Sequence, residues 1–292
     1  AAAVLHYGQE IFEGLKAYRH ADDSIWLFRP DRNAARFAES ARRLLMAPLP
    51  EDIFLASVRE LVALDAAWVP QPQGEQSLYI RPYMFASEPY LGVREAHEYT
   101  YSVITAPVGA YYPAPVRLWV TSKYKRAAGT GQAKCGGNYA ASLRAQSEGV
   151  EHGCDQVVFL DAVTRRHIEE LGGMNLFFIR SDGTAVTPPT SGTILEGVTR
   201  GSIIQLLRDR GYTVVEEDVD IDFWRQGARD GSLAEVFACG TAAVITPVGK
   251  LVDPEGEYTT GTHDLTLSLR QELVDIQYGR SQDSYGWLRR FG

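Results

Sequence analysis

GTGQAKCGGNY, residues 129–139, sets a single lysine, Lys134, among four glycines and follows it with Asn138 and Tyr139. Glycine-rich backbone is entropically costly and is found where a chain bends sharply or lets something approach closely. A nucleotide phosphate loop would place the lysine after glycine and before Ser or Thr. Here Ala133 precedes Lys134 and Cys135 follows it. That loop is excluded, and the lysine needs another task.

Regular patterns flank the stretch on both sides. Upstream, Ala34, Phe37, Ala38, Ala41, Leu44 and Leu45 share one face of a helix expected over Pro30–Met46, which Pro48 and Pro50 stop. A second helix is expected over Glu51–Trp68, and strands over Leu78–Phe85, Tyr99–Pro107 and Val116–Thr121. From Thr121 to Gly137 the pattern lapses into a loop. Beyond it, helices are expected at Tyr139–Glu151, Thr199–Arg210 and Leu265–Tyr278. Strands are expected at Gln156–Leu160, Asn175–Ile179 and Ala234–Ala238, the last running into a Gly-Thr turn. This mixture predicts an α/β or α+β chain of two domains, with no internal repeat.

The bulk numbers bound the function. At 292 residues the chain suits two domains, and 45% apolar with 23% charged residues is ordinary for a globular protein. A net charge of −8 argues against nucleic acid or an anionic membrane as partner. No run reaches the ~18 apolar residues of a membrane span, and the first residues carry no leader pattern. Three widely spaced cysteines fit a reducing cytoplasm, and neither they nor the six histidines show metal-ligand spacing. No metal is expected.

Four further stretches carry chemistry-bearing residues. In TILEGVTRGSIIQLL, 193–207, Gly197-Val198-Thr199 opens a helix whose N–H groups and dipole suit a phosphate; the alternative is an ordinary helix capped by Thr199. In FACGTAAVITPV, 237–248, a strand breaking at Gly240-Thr241 can turn successive N–H groups toward an anion, or simply relieve strain. In HIEELGGMNLFFI, 167–179, Glu169 or Glu170 can enter the core to meet a cation, though such acids are commonly solvated. LHYGQEIFEGLKAYR, 5–19, groups Tyr7, Phe12 and Tyr18 around glycines, where aromatics are ordinarily core. Taken together, a lysine, a carboxylate and two anion-binding turns match the needs of pyridoxal phosphate.

The motifs YGQEIFEGLKAYR, YIRP, YLGV, AKCGGNY, IEELGGMNLFF, ILEGVTR and FACGTAAVITPV, in this order, resemble those of the branched-chain amino acid aminotransferases, and the resemblance runs from about Leu5 to Trp287. These are fold-type IV pyridoxal-phosphate enzymes. The resemblance implies a D-amino acid aminotransferase-like fold, a small α/β domain beside a larger pseudo-barrel domain. Residues 1–122 would form the small domain, N-terminally incomplete because the family carries further residues ahead of the first motif. Residues 123–133 would be the interdomain loop and 134–292 the large cofactor-binding domain. Loops around Tyr112-Pro113 and Ala128-Gly129 are shorter than the family's.

The resemblance also implies roles. Lys134 bonds the aldehyde of pyridoxal 5'-phosphate and is the catalytic residue, with Gly136 and Gly137 letting backbone pass close to the cofactor. Tyr139 meets the ring oxygen, Glu170 the ring nitrogen, and Leu195 the ring face. Arg36, Val198, Thr199 and Thr241 bind the phosphate side. Thr241 and Ala242 take the substrate α-carboxylate through N–H groups, while Phe12, Gly14 and Tyr79 line the side-chain pocket. Arg81 receives the distal carboxylate of glutamate. Tyr7, Leu91 and Val93 match positions that enter a neighbouring subunit, which implies a homodimer with shared active sites. The implied reaction moves an amino group between leucine, isoleucine or valine and 2-oxoglutarate. The alternatives are another fold-type IV transaminase, such as D-amino acid aminotransferase, or an inactive cofactor-binding homologue.

Overall fold

A computed structural model describes residues 1–112, 114–126, 129–190 and 192–291. Pro113 and Ala128, on which the two shorter loops fall, lie outside the described residues, as does Ala127 of the expected interdomain loop. The backbone divides into two compact units. The first holds Ala1–Ala110, Ala133–Gly137 and Glu272–Gly292; the second holds Tyr111–Gln132 and Asn138–Gln271.

In the first unit, strand Ser77–Ala86 is the spine of a six-stranded antiparallel sheet. One edge pairs with Tyr99–Val108. The other is shared by two short strands, Glu10–Phe12 opposite Tyr83–Phe85 and Leu15–Arg19 opposite its start. Glu13 and Gly14 interrupt them, and the Glu13 N–H donates to the Pro82 carbonyl at 2.7 Å. The sheet continues through Ile25–Phe28 to Leu288–Phe291. Burial alternates along Ser77–Ala86, so Leu78, Ile80 and Met84 join Ile11, Leu15, Phe37, Phe54, Val58 and Val62 in one core. Tyr79 and Arg81 are left on the opposite face. Helices Pro30–Arg43 and Glu51–Leu64 supply the covering apolar side chains.

The second unit is built on a ten-stranded mixed sheet. Its central path runs Asn175–Arg180, Leu233–Gly240, Val244–Asp253, Val116–Val120, Gln156–Leu160, His167–Leu171. The first and last of these strands are consecutive in sequence and joined by the turn 172–174, with the Leu171 N–H donating to the Met174 carbonyl at 3.0 Å. A sheet whose path ends meet across one tight turn has to curl on itself, which is the expected pseudo-barrel. Leu118, Val158, Leu176, Phe178, Val236 and Trp224 fill it.

The domain limits differ from the expected 1–122, 123–133 and 134–292 at three places. Val116–Val120 pairs with Val244–Asp253 and Gln156–Leu160, so it sits in the second unit. Leu288–Phe291 pairs with Ile25–Phe28, which returns the end of the chain to the first unit. Residues 133–137 also belong to the first unit, because the Lys134 N–H donates to Ser40 Oγ at 2.9 Å and the Phe12 N–H to the Lys134 carbonyl at 3.0 Å.

Candidate active site

In the first unit the structure gathers Phe12, Gly14, Tyr79, Arg81 and Lys134. The Lys134 backbone is tied on both sides by the two bonds just described, and its Nζ stands 4.8 Å from the Phe12 ring centroid. The Arg81 guanidinium lies 4.6 Å from the same ring and 5.3 Å from that of Tyr79, whose Oη accepts from Arg81 Nη2 at 2.9 Å. One aromatic ring thus has an amine and a guanidinium beside it. Gly14 is required by packing, since a β-carbon there would lie 2.1 Å from the Tyr79 hydroxyl.

Arg36 is already partnered. Its Nε donates to Glu13 Oε1 at 2.7 Å and its Nη2 to Glu13 Oε2 at 2.9 Å. Glu13 is fully buried and also accepts from Asn33 and from the Gly14 N–H. Burial alone would raise the Glu13 carboxyl, but Arg36, Lys134 and the hydrogen bonds outweigh it and hold it below its usual range. Glu13 was not among the expected site residues, although it stands inside the YGQEIFEG motif.

The paired glycines differ in their surroundings. Gly136 approaches a side chain of this chain: its N–H donates to Glu10 Oε1, and a β-carbon there would lie 1.9 Å from that oxygen. Gly137 has nothing within 4 Å of where a β-carbon would stand. Tyr7, Leu91 and Val93 are exposed, and Tyr7 Oη accepts from the Gly92 N–H at 2.7 Å, which draws the three together.

In the second unit the structure gathers Tyr139, Glu170, Leu195 and Ala242. Glu170, 1% exposed, is the last but one residue of strand His167–Leu171, which precedes the turn 172–174, and its Oε1 accepts from the Leu195 N–H at 3.1 Å. The Leu195 carbonyl accepts in turn from Asn175 Nδ2 at 3.0 Å. Arg126, also 1% exposed, sets its Nη1 2.5 Å from Glu170 Oε1 and its guanidinium 5.8 Å from the Tyr139 ring. No sequence motif had singled out Arg126; its one signal is a cation inside an Ala- and Gly-rich loop. Tyr139, Ala242, Gly172, Gly173 and Gly240 line a cavity of about 370 Å³. Thr241 lies in the turn between the strands that end at Gly240 and begin at Val244.

The helix of TILEGVTRGSIIQLL begins at Val198, one residue earlier than expected, and Gly197 is its N-cap. Thr199 is therefore inside the helix and does not cap it. A β-carbon at Gly197 would lie 2.2 Å from Asn175 Oδ1, so the position admits no capping side chain. A 12-residue helix with glycine at its cap presents the positive end of its dipole to an anion.

The first unit supplies a lysine amine on a tethered backbone, and the second supplies a buried carboxylate and a glycine-capped helix start; these are the donor types that pyridoxal phosphate needs. Comparison with known proteins agrees. The Amino-transferase class IV family profile matches residues 10–251. A branched-chain-amino-acid aminotransferase from Mycolicibacterium smegmatis is 53% identical over 99% of this chain and 82% of its own. A T.th. branched-chain amino acid aminotransferase complexed with N-(5'-phosphopyridoxyl)-L-glutamate superposes with a TM-score of 0.84 at 31% identity, covering 100% of this chain and 92% of its own. The same enzyme complexed with 4-methylvaleric acid gives a TM-score of 0.80 at 30% identity with the same coverage. Both the profile, over most of the length, and the relatives, over all of it, cover the tethered lysine and the buried carboxylate: the chain belongs to the class IV aminotransferases.

Proposed function

We propose that the chain is a pyridoxal-phosphate-dependent branched-chain amino acid aminotransferase that exchanges an amino group between leucine, isoleucine or valine and 2-oxoglutarate. The observation that carries this reading is the Phe12 ring, which bears the Lys134 amine and the Arg81 guanidinium. An aromatic wall with a guanidinium beside the lysine suits a branched side chain and a distal carboxylate alike. The two compounds held by the T.th. enzyme, a glutamate adduct and a branched monocarboxylate, support that duality.

Bound here, pyridoxal phosphate supplies a carbonyl that takes up the amino group and a ring that draws off the electron pair left at the substrate α-carbon. Lys134 Nζ would hold the group through its carbonyl carbon and would serve as the positioned general base for the substrate α-proton, a role contributing about 10²–10⁴-fold. Glu170 would keep a proton on the ring nitrogen by charge pairing. By the family resemblance, Val198 and Thr199 at the helix start and Thr241 would bind the phosphate together with Arg36, which Glu13 orients, while Tyr139 would meet the ring oxygen and Leu195 the ring face. The Thr241 and Ala242 N–H groups orient the α-carboxylate. Phe12, Gly14 and Tyr79 shape the side-chain pocket and exclude water from it, while Arg81 receives the second carboxylate of glutamate.

The protein acts as a homodimer in the cytoplasm. The exposed apolar side chains of Tyr7, Leu91 and Val93 support the dimer, since they suit contact with a second copy. No helix of the described residues is long and apolar enough to cross a membrane, and the three cysteines are free.

The test is to incubate protein, cofactor, leucine and 2-oxoglutarate and to follow glutamate, then to trap the cofactor with borohydride and map the labelled peptide. Glutamate formation with the label on Lys134 is expected. A label on another side chain, or turnover of D-alanine alone, refutes the reading.

A further inference from the structure

We propose that Glu10 sets how the pocket divides its affinity between dicarboxylate and apolar substrates, by competing for the charge of Arg81; the proposal rests on the reading of Arg81 given above. Glu10 and Phe12 stand two residues apart on one short strand, with buried Ile11 between them facing the core. Side chains two apart share a strand face, so Glu10 lies on the face where Phe12 carries Arg81 and Lys134. Tyr79 and Arg81 occupy the same side of the neighbouring strand.

The Arg81 charge is open to a second carboxylate. Nη2 donates to the neutral Tyr79 hydroxyl, and Nε is buried without a hydrogen-bond partner. Glu13, the other acid of the motif, is committed to Arg36, Asn33 and the Gly14 N–H. Glu10 Oε1 accepts from the Gly136 N–H. Burial pushes the Glu10 carboxyl up, while that N–H and, less strongly, the Arg81 charge pull it back.

A dicarboxylate brings its distal carboxylate to Arg81 and meets the Glu10 charge there; a branched alkyl chain does not. Glu10 therefore weakens dicarboxylates selectively. The same carboxylate offsets the guanidinium while an apolar side chain fills the pocket. One site can then alternate between the two classes that the two half-reactions require.

The test uses the holoenzyme at pH 8, with glutarate and 4-methylvalerate as unreactive probes and the cofactor absorbance as readout. Glu10→Gln keeps an acceptor for Gly136 and removes the charge. It should bind glutarate about 3- to 10-fold tighter, the range expected of two charges several ångströms apart in a partly wet pocket, and change 4-methylvalerate less than twofold. Glu10→Asp keeps the charge and should leave the ratio of the two affinities within about twofold of wild type. An unchanged ratio in Glu10→Gln, or one raised as far in Glu10→Asp, overturns the proposal. Arg81→Met separates the two readings. Glutarate binding that survives Arg81→Met sinks the role of Arg81 itself, whereas glutarate lost there but not gained in Glu10→Gln sinks only that of Glu10.

Discussion

Arg126 and Glu170 are each 1% exposed and 2.5 Å apart, so neither charge is hydrated. Two opposite charges taken from water offset each other only while both are present. The Leu195 N–H satisfies part of Glu170, and the Tyr139 ring lies under Arg126, but neither replaces a counter-ion. Arg126→Met should therefore lower the stability of the cofactor-free protein by about 3–5 kcal/mol, the usual cost of stranding a buried charge. Arg126→Met combined with Glu170→Gln should recover a sizeable part of that loss, because nothing charged is left behind. Urea denaturation of the single and double variants checks this; equal losses in both would mean that the pair is not coupled. The same pair shows why residue roles were only partly legible. Glu170 stands in a motif beside a glycine turn and can be assigned by resemblance. Its partner lies 44 positions earlier in a loop without periodicity, and only the fold brings it there.

At the scale of elements, helix Pro30–Arg43 ends with a residue that its backbone does not favour. The Met46 N–H reaches the Ala41 carbonyl at 2.8 Å and the Leu45 N–H the Arg42 carbonyl at 3.1 Å. This is the bond pair of a Schellman stop, whose reversing position belongs to glycine. Leu45 occupies that position at φ 53° with its side chain 68% exposed. Left-handed backbone costs a leucine about 1–2 kcal/mol, and little packing is lost by trimming an exposed side chain. Leu45→Gly should raise stability by about 0.5–1 kcal/mol after the extra unfolded-state entropy of glycine is counted; a lower denaturation midpoint would refute the assignment. Elements with an unbroken apolar pattern were legible: Gln156–Leu160 has the expected limits, and Glu51–Leu64 differs only where its last turn tightens into the 3-10 segment Ala66–Trp68. The strands Glu10–Phe12, Leu15–Arg19 and Ile25–Phe28 were missed because none shows a sustained alternation, although the last two pair with each other as a hairpin. Helix Ile221–Asp230 was also missed, although signals were present. Asp220 accepts from the Asp222 N–H as N-cap, and Gly231 at φ 77° stops the helix.

Over the whole molecule, acid should act on both units through carboxylates held in charged form. Burial alone would raise Asp161, but the Thr164 hydroxyl and the N–H groups of Thr164, Arg166 and His167 outweigh it and pull it far below 3.8. Glu13 in the first unit is likewise held below 4.5, Arg36 leading the groups that overcome its burial. A carboxyl depressed in the folded state contributes stability that is complete above its unfolded value and is lost as pH falls through the folded one. Glu10 and Glu169 have the opposite sign, since burial raises both. Protonating them favours the folded state as pH drops through their raised values toward 4.5. The two signs together predict a stability maximum on the acid side of neutrality and a steep fall below about pH 4, where the unfolded chain takes up protons that the folded Glu13 and Asp161 resist. Melting temperatures from pH 3 to 8 would trace that curve. Glu13→Gln should melt lower than wild type at pH 7, because Arg36 then loses its buried partner, and the gap should narrow as pH falls below 4.5 and the wild-type Glu13 is neutralised too. A gap that stays constant down to pH 3 would show that the charge of Glu13 contributes nothing to the first unit.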